Sequence, residues 1–191
     1  MGPTNVLSAT NRDEFRQWLA DNHKTETECW LRVKRGRPMG DGTFCYLDSV
    51  EEALCFGWID GHVKSLEGLG ALQRFTPRMR KSPWTELNKE RVRRLEALGL
   101  MTDAGRAVLP PMGPRSFRID ADVERALKDA RVWAKFKRFP PLYQRIRAYN
   151  LWFHKGRPDG SYEKGLANLI EHTRHGEMYG EWNDYGRLLD Y

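Results

Sequence analysis

The sequence predicts an α+β fold, in which a small antiparallel sheet with flanking helices is followed by a helical C-terminal region. Apolar and polar residues alternate along residues 28–35, as they do in a half-buried strand. A glycine-rich stretch at residues 67–70 separates two strand-like runs and indicates a β-hairpin. After the proline-rich segment 110–118, apolar residues recur at helical spacing and no run favours a strand.

These patterns divide the 191 residues into four parts. Residues 1–110 form the predicted α+β domain, and residues 111–118 form a proline-rich linker. Residues 119–178 form a helical region that is expected to pack on the domain. The tail, residues 179–191, is aromatic but interrupted by glycines, and it is left unassigned.

The first elements alternate between helix and strand. Asn11 is predicted to cap a helix, with Glu14 as its capping-box partner three residues on. The alternating stretch 28–35 is the first predicted strand. The aromatic and β-branched stretch 43–47 is the second.

Three further elements complete the predicted domain. A helix begins at Ser49, where a glutamate three residues on completes a capping box, and it ends at Gly57. The hairpin strands are residues 62–66 and 71–76. Another helix begins behind Ser82, with proline at its favoured first position.

The composition is that of a soluble globular protein, since 40% of the residues are hydrophobic and 30% are charged. No apolar run approaches the roughly 18 residues that a membrane helix needs, and the N-terminus lacks the pattern of a secretory signal. Three cysteines without a CxxC pair predict free thiols in a reducing cytoplasm. The scattered histidines show no zinc spacing, so neither a metal site nor a cofactor is predicted.

A block of positive charge lies in the helical region. Residues 131–157 hold eight basic side chains and no acidic one, and such a block either attracts an anionic partner or forms a solvated face. If it bound nucleic acid, the phosphate contacts would come from Arg131, Lys135, Lys137, Arg138, Arg145 and Arg147. The three-residue spacing of Trp133, Phe136 and Phe139 favours buried aromatics instead, so nucleic acid is the less favoured partner.

A binding site is predicted in residues 49–88, where carboxylates, guanidinium groups and tryptophans are close in sequence. Arg74 and Thr76 share one face of a strand, and Arg78 lies near a helix N-terminus, where free N–H groups favour anions. The arginine fork would hold a phosphate or a carboxylate, unless these arginines form ion pairs with nearby carboxylates. The predicted ligand-binding residues are Trp58, Asp60, Arg74, Thr76, Arg78, Trp84 and Asn88.

Three side chains in the same stretch are weaker candidates for catalysis. Asp60 lies in a turn beside aromatics, where a carboxylate has a raised pKa, holds an arginine, or fixes the bend as an Asx turn. Cys55 and His62 add the residue types of a nucleophile and its base, although nearness in sequence does not show that they meet in space. Cys55 is expected to be buried on its helix.

Five segments of the chain carry a family resemblance: EEALCFGWIDG (51–61), QRFTPR (73–78), SPWTELNKERVRRL (82–95), GLMTDAG (99–105) and WAKFKRFPPLYQR (133–145). Together they resemble the YdeI/OmpD-associated, or bacteriocin-protection, family of bacterial proteins. The resemblance implies a cytosolic protein associated with tolerance of antimicrobial peptides or envelope stress. It implies no catalytic residues, because that family has no agreed biochemical activity. The GRPDGSYEKG turn and the aromatic tail depart from the family's usual pattern.

The leading expectation is therefore a cytoplasmic, non-enzymatic stress-tolerance protein that binds a small anionic ligand. The first alternative is an enzyme that acts on a small anionic substrate in the same site, with Asp60 as base and Arg74 or Arg78 as clamp. The second is a nucleic-acid-binding protein that uses residues 131–157. No membrane span is predicted, and the oligomeric state is left open.

Overall fold

The computed structural model describes residues 4–191, which form a small mixed sheet and eight α-helices. This confirms the predicted α+β class. The strands are β1 (Val6–Leu7), β2 (Cys29–Leu31), β3 (Trp58–Leu66) and β4 (Gly70–Pro77). The helices are α1 (Arg12–Asn22), α2 (Tyr46–Cys55), α3 (Glu86–Ala97), α4 (Asp103–Arg106), α5 (Ala121–Asp129), α6 (Trp133–Phe136), α7 (Pro141–His154) and α8 (Ser161–His175). No helix within residues 4–191 is both long enough and apolar enough to cross a membrane.

The chain divides into two compact units. The first comprises the chain up to Pro83, Arg91–Pro110 and Tyr191. The second comprises Trp84–Glu90 and Pro111–Asp190. The first turn of α3, the proline-rich stretch and most of the aromatic tail therefore belong to the second unit.

The sheet of the first unit has the strand order β1-β2-β4-β3. Strands β3 and β4 form the predicted hairpin, and β2 pairs with β4 in the same antiparallel sense. The edge strand β1 pairs with β2 in parallel. The sequence did not predict β1, because a strand of two residues is too short to show a period of two.

The predicted strand at residues 43–47 is wrong, because α2 already begins at Tyr46. The Asp48 carboxylate accepts a hydrogen bond from the backbone N–H of Cys45 at 3.1 Å, and this contact starts the helix. Ser49 lies inside the first turn, where its hydroxyl donates to the carbonyl of Tyr46 at 2.8 Å. The predicted start at Ser49 therefore lies three residues too late.

The start of α3 also differs from its prediction. The helix begins at Glu86, and the Thr85 hydroxyl accepts from the backbone N–H of Asn88 at 3.0 Å, so Ser82 does not begin the helix. The predicted cap of α1 is confirmed, since the Asn11 side chain accepts the N–H three residues on at 2.9 Å. The predicted end of α2 is confirmed as well, because Gly57 adopts a φ of 75° just beyond the helix.

The core of the first unit is aromatic. Phe15 of α1 lies 6.2 Å from Phe44 and 5.4 Å from Phe75, measured between ring centroids. Trp18 and Trp58 meet edge to face at 5.7 Å. These contacts join α1 to the sheet, as expected of an amphipathic helix that covers one sheet face.

The second unit is built on an apolar cluster of helices, whose buried members are Val123, Leu127, Val132, Phe136, Tyr143, Leu151 and Leu169. Trp133 and Phe139 pack against this cluster and are partly buried, as the aromatic spacing predicted. Tyr179 and Trp182 of the unassigned tail pack against it too. Residues 179–190 of the tail are therefore a structural part of the second unit.

Candidate functional site

Arg74 is held in an ion pair on one face of the sheet. Its Nη2 lies 2.6 Å from Glu28 Oε2, and its Nε donates to the same oxygen at 2.7 Å. Trp30 Nε1 donates to the other oxygen of Glu28 at 3.0 Å. This bond from Trp30, with further bonds from Thr4 and Arg74, lowers the pKa of Glu28 to about 2. The positive charge of Arg74 is thus balanced inside the protein.

Asp60 lies on the opposite face of the sheet from Arg74. It stands across from Phe75, the immediate neighbour of Arg74, and successive residues of a strand point to opposite faces. The Tyr46 hydroxyl donates to Asp60 Oδ2 at 2.6 Å, and burial, with this carboxylate beside it, raises the pKa of Tyr46. The Arg35 guanidinium lies 4.4 Å from the centre of the Tyr46 ring. The structure therefore does not bring Asp60 and Arg74 together.

The other predicted ligand-binding residues are largely buried. Trp58 is 1% exposed and its Nε1 donates to a backbone carbonyl at 3.3 Å, so it is a core residue. Arg78 is buried and donates through Nη2 to the carbonyl of Pro83 at 3.3 Å. Thr76 is half-buried. Trp84 and Asn88 are buried and belong to the second unit.

The catalytic candidates are not joined to one another. Cys55 is fully buried, and burial, with the nearby Glu52 carboxylate, raises the pKa of its thiol to about 12. A reactive thiolate at neutral pH is therefore disfavoured. His62 is exposed and packs its ring against Trp30 at 5.3 Å. Among the described residues, no hydrogen bond links Cys55, Asp60 and His62.

The two glutamates of α2 are buried in a network of arginines. Arg12 Nη1 lies 2.8 Å from Glu51, and its Nη2 lies 2.6 Å from Glu52. Arg16 adds a contact to Glu52 at 2.8 Å, and Arg94 adds one to Glu51 at 2.8 Å. Burial opposes the charge of Arg12, but the two carboxylates outweigh it and raise the pKa of Arg12. The network joins α1, α2 and α3, which explains both glutamates without acid–base chemistry.

A cleft of about 700 Å³ opens in the first unit, where the chain leaves β1 and β2. We call it the cationic cleft. It is lined by Val6, Leu7, Ser8, Ala9, Thr10, Arg32, Val33, Lys34, Thr43, Phe44, Leu69 and Leu72. None of these lining residues is acidic.

The charge of the cationic cleft comes from Arg32 and Lys34, which are both exposed. Neither side chain forms an ion pair with a carboxylate in residues 4–191. Arg32 donates one hydrogen bond to the carbonyl of Leu69 and keeps further N–H groups of its fork.

Two carboxylates bind residues of the rim. Glu14 accepts from the Thr10 backbone and hydroxyl at 2.7 and 3.1 Å. Asp41 accepts from the backbone N–H of Thr43 at 3.0 Å, and hydrogen bonds from Thr43, with the charge of Lys34, lower the pKa of Asp41.

The floor of the cationic cleft is apolar. Phe44 and Leu72 are buried beneath it, and Leu7 and Val33 are half-buried along its sides. The cleft thus combines an apolar floor with a positive rim. The sequence predicts Arg32 and Lys34 on the polar side of the alternating strand at residues 28–35. Residues 6–10, which form the facing wall, show no pattern that predicts a binding site.

The basic block of the helical region is largely engaged within the second unit. Arg145 Nη2 lies 2.7 Å from Glu90, and the buried Arg147 stacks 4.3 Å from the Tyr179 ring. Lys135 Nζ donates to a backbone carbonyl at 2.5 Å, and Lys137 Nζ lies 5.6 Å from the Trp133 ring. Arg131 and Arg138 are exposed. Nucleic-acid binding by this block stays a prediction, and the geometry does not favour it.

A family model described as "Domain of unknown function (DUF8412)" matches residues 7–108 of the chain. The matched range contains every lining residue of the cationic cleft except Val6. No curated protein and no solved structure gives a significant match. The resemblance to the YdeI/OmpD-associated family stays a prediction.

Proposed function

The chain belongs to the DUF8412 family, and on that premise we propose that its family domain binds a small amphipathic anion in the cationic cleft. The ligand is an apolar group that carries one carboxylate or phosphate. The supporting observation is the pairing of an apolar floor with Arg32 and Lys34 in a cleft that has no acidic lining residue. This proposal keeps the small anionic ligand predicted from the sequence, but its site is the cationic cleft instead of the Trp58–Trp84 stretch.

The free energy of an ion pair at the rim, compared with that of apolar contact with the floor, decides what kind of anion fits the cleft. An exposed ion pair contributes about 0–1 kcal/mol. Each methylene group that leaves water contributes about 0.8 kcal/mol. The affinity of a chain of several carbons would therefore come mainly from the floor, while the two cations select for a negative head group. Inorganic phosphate alone would bind weakly.

The geometry supports a head group at the rim rather than inside the cleft. Arg32 and Lys34 are exposed, whereas Phe44 and Leu72 lie beneath the floor. An anionic head at the rim keeps part of its hydration, so the desolvation cost of a buried ion pair is avoided. A role in tolerance of antimicrobial peptides or envelope stress stays a prediction, since it depends on the sequence resemblance alone.

Matched amphiphiles test this proposal. We expect sodium octanoate and octyl phosphate to raise the melting temperature and to give a measurable Kd by isothermal titration calorimetry. Octylamine, which has the same tail and the opposite charge, should bind more weakly, and inorganic phosphate should have little effect. The proposal fails if octanoate stabilises the protein no more than octylamine does.

A charge-neutral variant locates the binding. Arg32→Gln combined with Lys34→Gln should weaken octanoate binding about tenfold, because two exposed ion pairs are lost. Lys24→Gln is the matched control, since Lys24 is exposed in the same unit and does not line the cleft. Equal octanoate affinity in the double variant and the wild type would rule out this cleft as the site.

A further inference from the structure

A second cleft, of about 400 Å³, lies wholly within the second unit. It is lined by the first turn of α3, by the loop that leads into α5 and by the C-terminal half of α7. We call it the Arg118 cleft. Its volume lies in the range of small-molecule sites.

The carboxylates of this cleft already have cations of their own. Glu86 is 1% exposed, and its two oxygens lie 2.8 Å from Lys89 Nζ and 3.4 Å from Arg145 Nε. Both oxygens of Asp120 lie 3.0 Å from Lys155 Nζ. The same ion pairs extend behind the cleft and join the carboxylates Glu86, Glu90, Asp120 and Asp122 to the cations Lys89, Arg125, Arg145 and Lys155.

Arg118 is a lining cation outside these ion pairs. It is exposed, and no carboxylate of residues 4–191 lies within ion-pair distance of its guanidinium. Its charge is therefore available to an anion in the cleft. An arginine fork matches the geometry of a carboxylate. Because the fork is exposed, a ligand carboxylate beside it keeps part of its hydration and avoids the desolvation cost of a buried ion pair.

Trp152 gives the cleft an aromatic wall. It is 51% exposed, and its ring centroid lies 5.5 Å from that of the buried Tyr149 on the same helix. Phe117, in the loop before α5, is half-buried and lines the same cleft. A flat ring in the cleft would replace water on these surfaces, and aromatic pairs are favourable beyond the area that they bury. The lining therefore favours a planar ring over an aliphatic chain.

We propose that the Arg118 cleft binds a small aromatic carboxylate. The carboxylate pairs with Arg118, and the ring lies against Trp152. One available cation matches a monoanion, whereas a phosphate monoester carries about 1.5–2 negative charges at pH 7 and would bring excess negative charge near Glu86 and Asp120. This proposal does not depend on the anion proposed for the cationic cleft, because the two clefts belong to different units and share no lining residue.

Matched ligands test the charge of the proposed ligand. We expect 2-naphthoate to bind to the full chain at millimolar concentration or below, and to shift the Arg118 amide and Trp152 indole N–H resonances in NMR spectra. The indole resonance is identified by its loss in Trp152→Phe. 2-Naphthamide, which has the same ring and no charge, should bind about fivefold more weakly. 2-Naphthyl phosphate should bind no more tightly than 2-naphthoate.

The ligand series also defines the contrary results. Equal affinity for 2-naphthoate and 2-naphthamide, or tighter binding of the phosphate, would overturn the proposed ligand class. The absence of a shift at both Arg118 and Trp152 in millimolar 2-naphthoate would overturn the proposed site. Affinities are taken from the amide resonance of residue 118, so binding elsewhere on the chain is not counted.

Two neighbouring arginines locate the charge. Arg118→Gln should abolish the preference for 2-naphthoate over 2-naphthamide, and Arg118→Lys should keep part of it. Arg115→Gln is the matched control, because Arg115 is exposed in the segment before α5 and does not line the cleft. A preference that survives Arg118→Gln, or that Arg115→Gln reduces equally, would contradict the role of Arg118.

Two neighbouring aromatics locate the ring. Trp152→Ala should weaken 2-naphthoate binding about tenfold, the effect of losing one stacking surface. Phe153→Ala is the matched control, because Phe153 is 42% exposed on the same helix and does not line the cleft. Both side chains are exposed, so both variants are expected to fold. The same loss of affinity in both variants would contradict a site at Trp152.

The double variant of the cationic cleft separates the two proposals. Arg32→Gln combined with Lys34→Gln should weaken octanoate binding but leave the 2-naphthoate shift at Trp152 unchanged, since neither residue lines the Arg118 cleft. If the double variant removes the Trp152 shift, 2-naphthoate does not bind independently in the second unit and this proposal is wrong. If octanoate fails to bind while the Trp152 shift persists, only the proposal for the cationic cleft is lost.

Discussion

Glu28 shows how a single side chain ties several segments of the first unit together. Its carboxylate accepts hydrogen bonds from Trp30 Nε1 at 3.0 Å, from Arg74 Nε at 2.7 Å and from the Thr4 hydroxyl at 3.0 Å. These donors favour the ionised form, and they lower the pKa of Glu28 from 4.5 to about 2. The stability of the unit is therefore linked to the ionisation of this group.

The sign of the linkage gives a prediction for acid conditions. The folded pKa is the lower one, so the carboxylate stabilises the fold above about pH 4.5, and this contribution is lost as the pH falls towards 2. Glu28→Gln should lower the melting temperature above pH 4.5, and the two proteins should converge near pH 2. Circular dichroism melts over this range measure the difference.

Glu67→Gln, in the exposed hairpin turn, is the control for a carboxylate that takes no part in these contacts. A constant difference between wild type and Glu28→Gln at all pH values would contradict the linkage. It would mean that the variant disturbs packing rather than an ionised group.

Helices α2 and α4 of the first unit meet more closely than any side chain allows. The Thr102 hydroxyl, which caps α4, donates to the carbonyl of Cys55 at 2.6 Å. A Cβ added at Gly105 would lie 2.3 Å from the same carbonyl oxygen. The contact is between backbone atoms, so it cannot be relieved by the rotation of a flexible side chain.

This contact predicts the effect of one methyl group. Gly105→Ala should lower the free energy of unfolding by about 1–3 kcal/mol, the usual cost of overpacking. Gly113→Ala is the matched control, because a Cβ at Gly113 meets no atom within 4 Å and its φ is −68°. The control should stay within about 0.5 kcal/mol of the wild type. Urea denaturation measures both, and equal losses would exclude close approach as the cause.

The molecule as a whole carries a net charge of +6, which attracts anions of any kind at low salt. Charge alone does not make a nucleic-acid interface, which also needs several basic side chains free to meet phosphates. In the basic block, Arg145 and Arg147 are engaged with Glu90 and with the Tyr179 ring. Arg131 and Arg138 remain exposed.

The whole-molecule prediction concerns nucleic acid. In fluorescence anisotropy with a labelled single-stranded oligonucleotide, we expect weak binding at low salt and none at about 150 mM, where the Debye length is about 8 Å. Arg131→Gln combined with Arg138→Gln should weaken the low-salt binding, since both arginines are exposed in the basic block. Binding that persists at physiological salt and depends on these arginines would contradict this prediction and support a nucleic-acid-binding function.

The sequence by itself determined the features whose causes lie within a few residues. The Asn11 cap, the turn at Gly57 and the β3–β4 hairpin each depend on neighbours in the chain, and the structure confirms them. The α+β class follows from the same local patterns. At residues 43–47 two local patterns favour different structures. The aromatic and β-branched residues favour a strand, but the hydrogen bond from the Cys45 N–H to Asp48 starts α2 instead.

Only the tertiary structure determined which charged side chains form ion pairs within the protein and where a candidate binding site lies. Arg74 pairs with Glu28, 46 residues away, and Arg12 pairs with Glu52, 40 residues away. The sequence could not identify these partners, because the energy of an ion pair depends on distance in space and on burial rather than on position in the chain. The cationic cleft has the same origin, since residues 6–10 and 32–34 form its walls only once β1 pairs with β2.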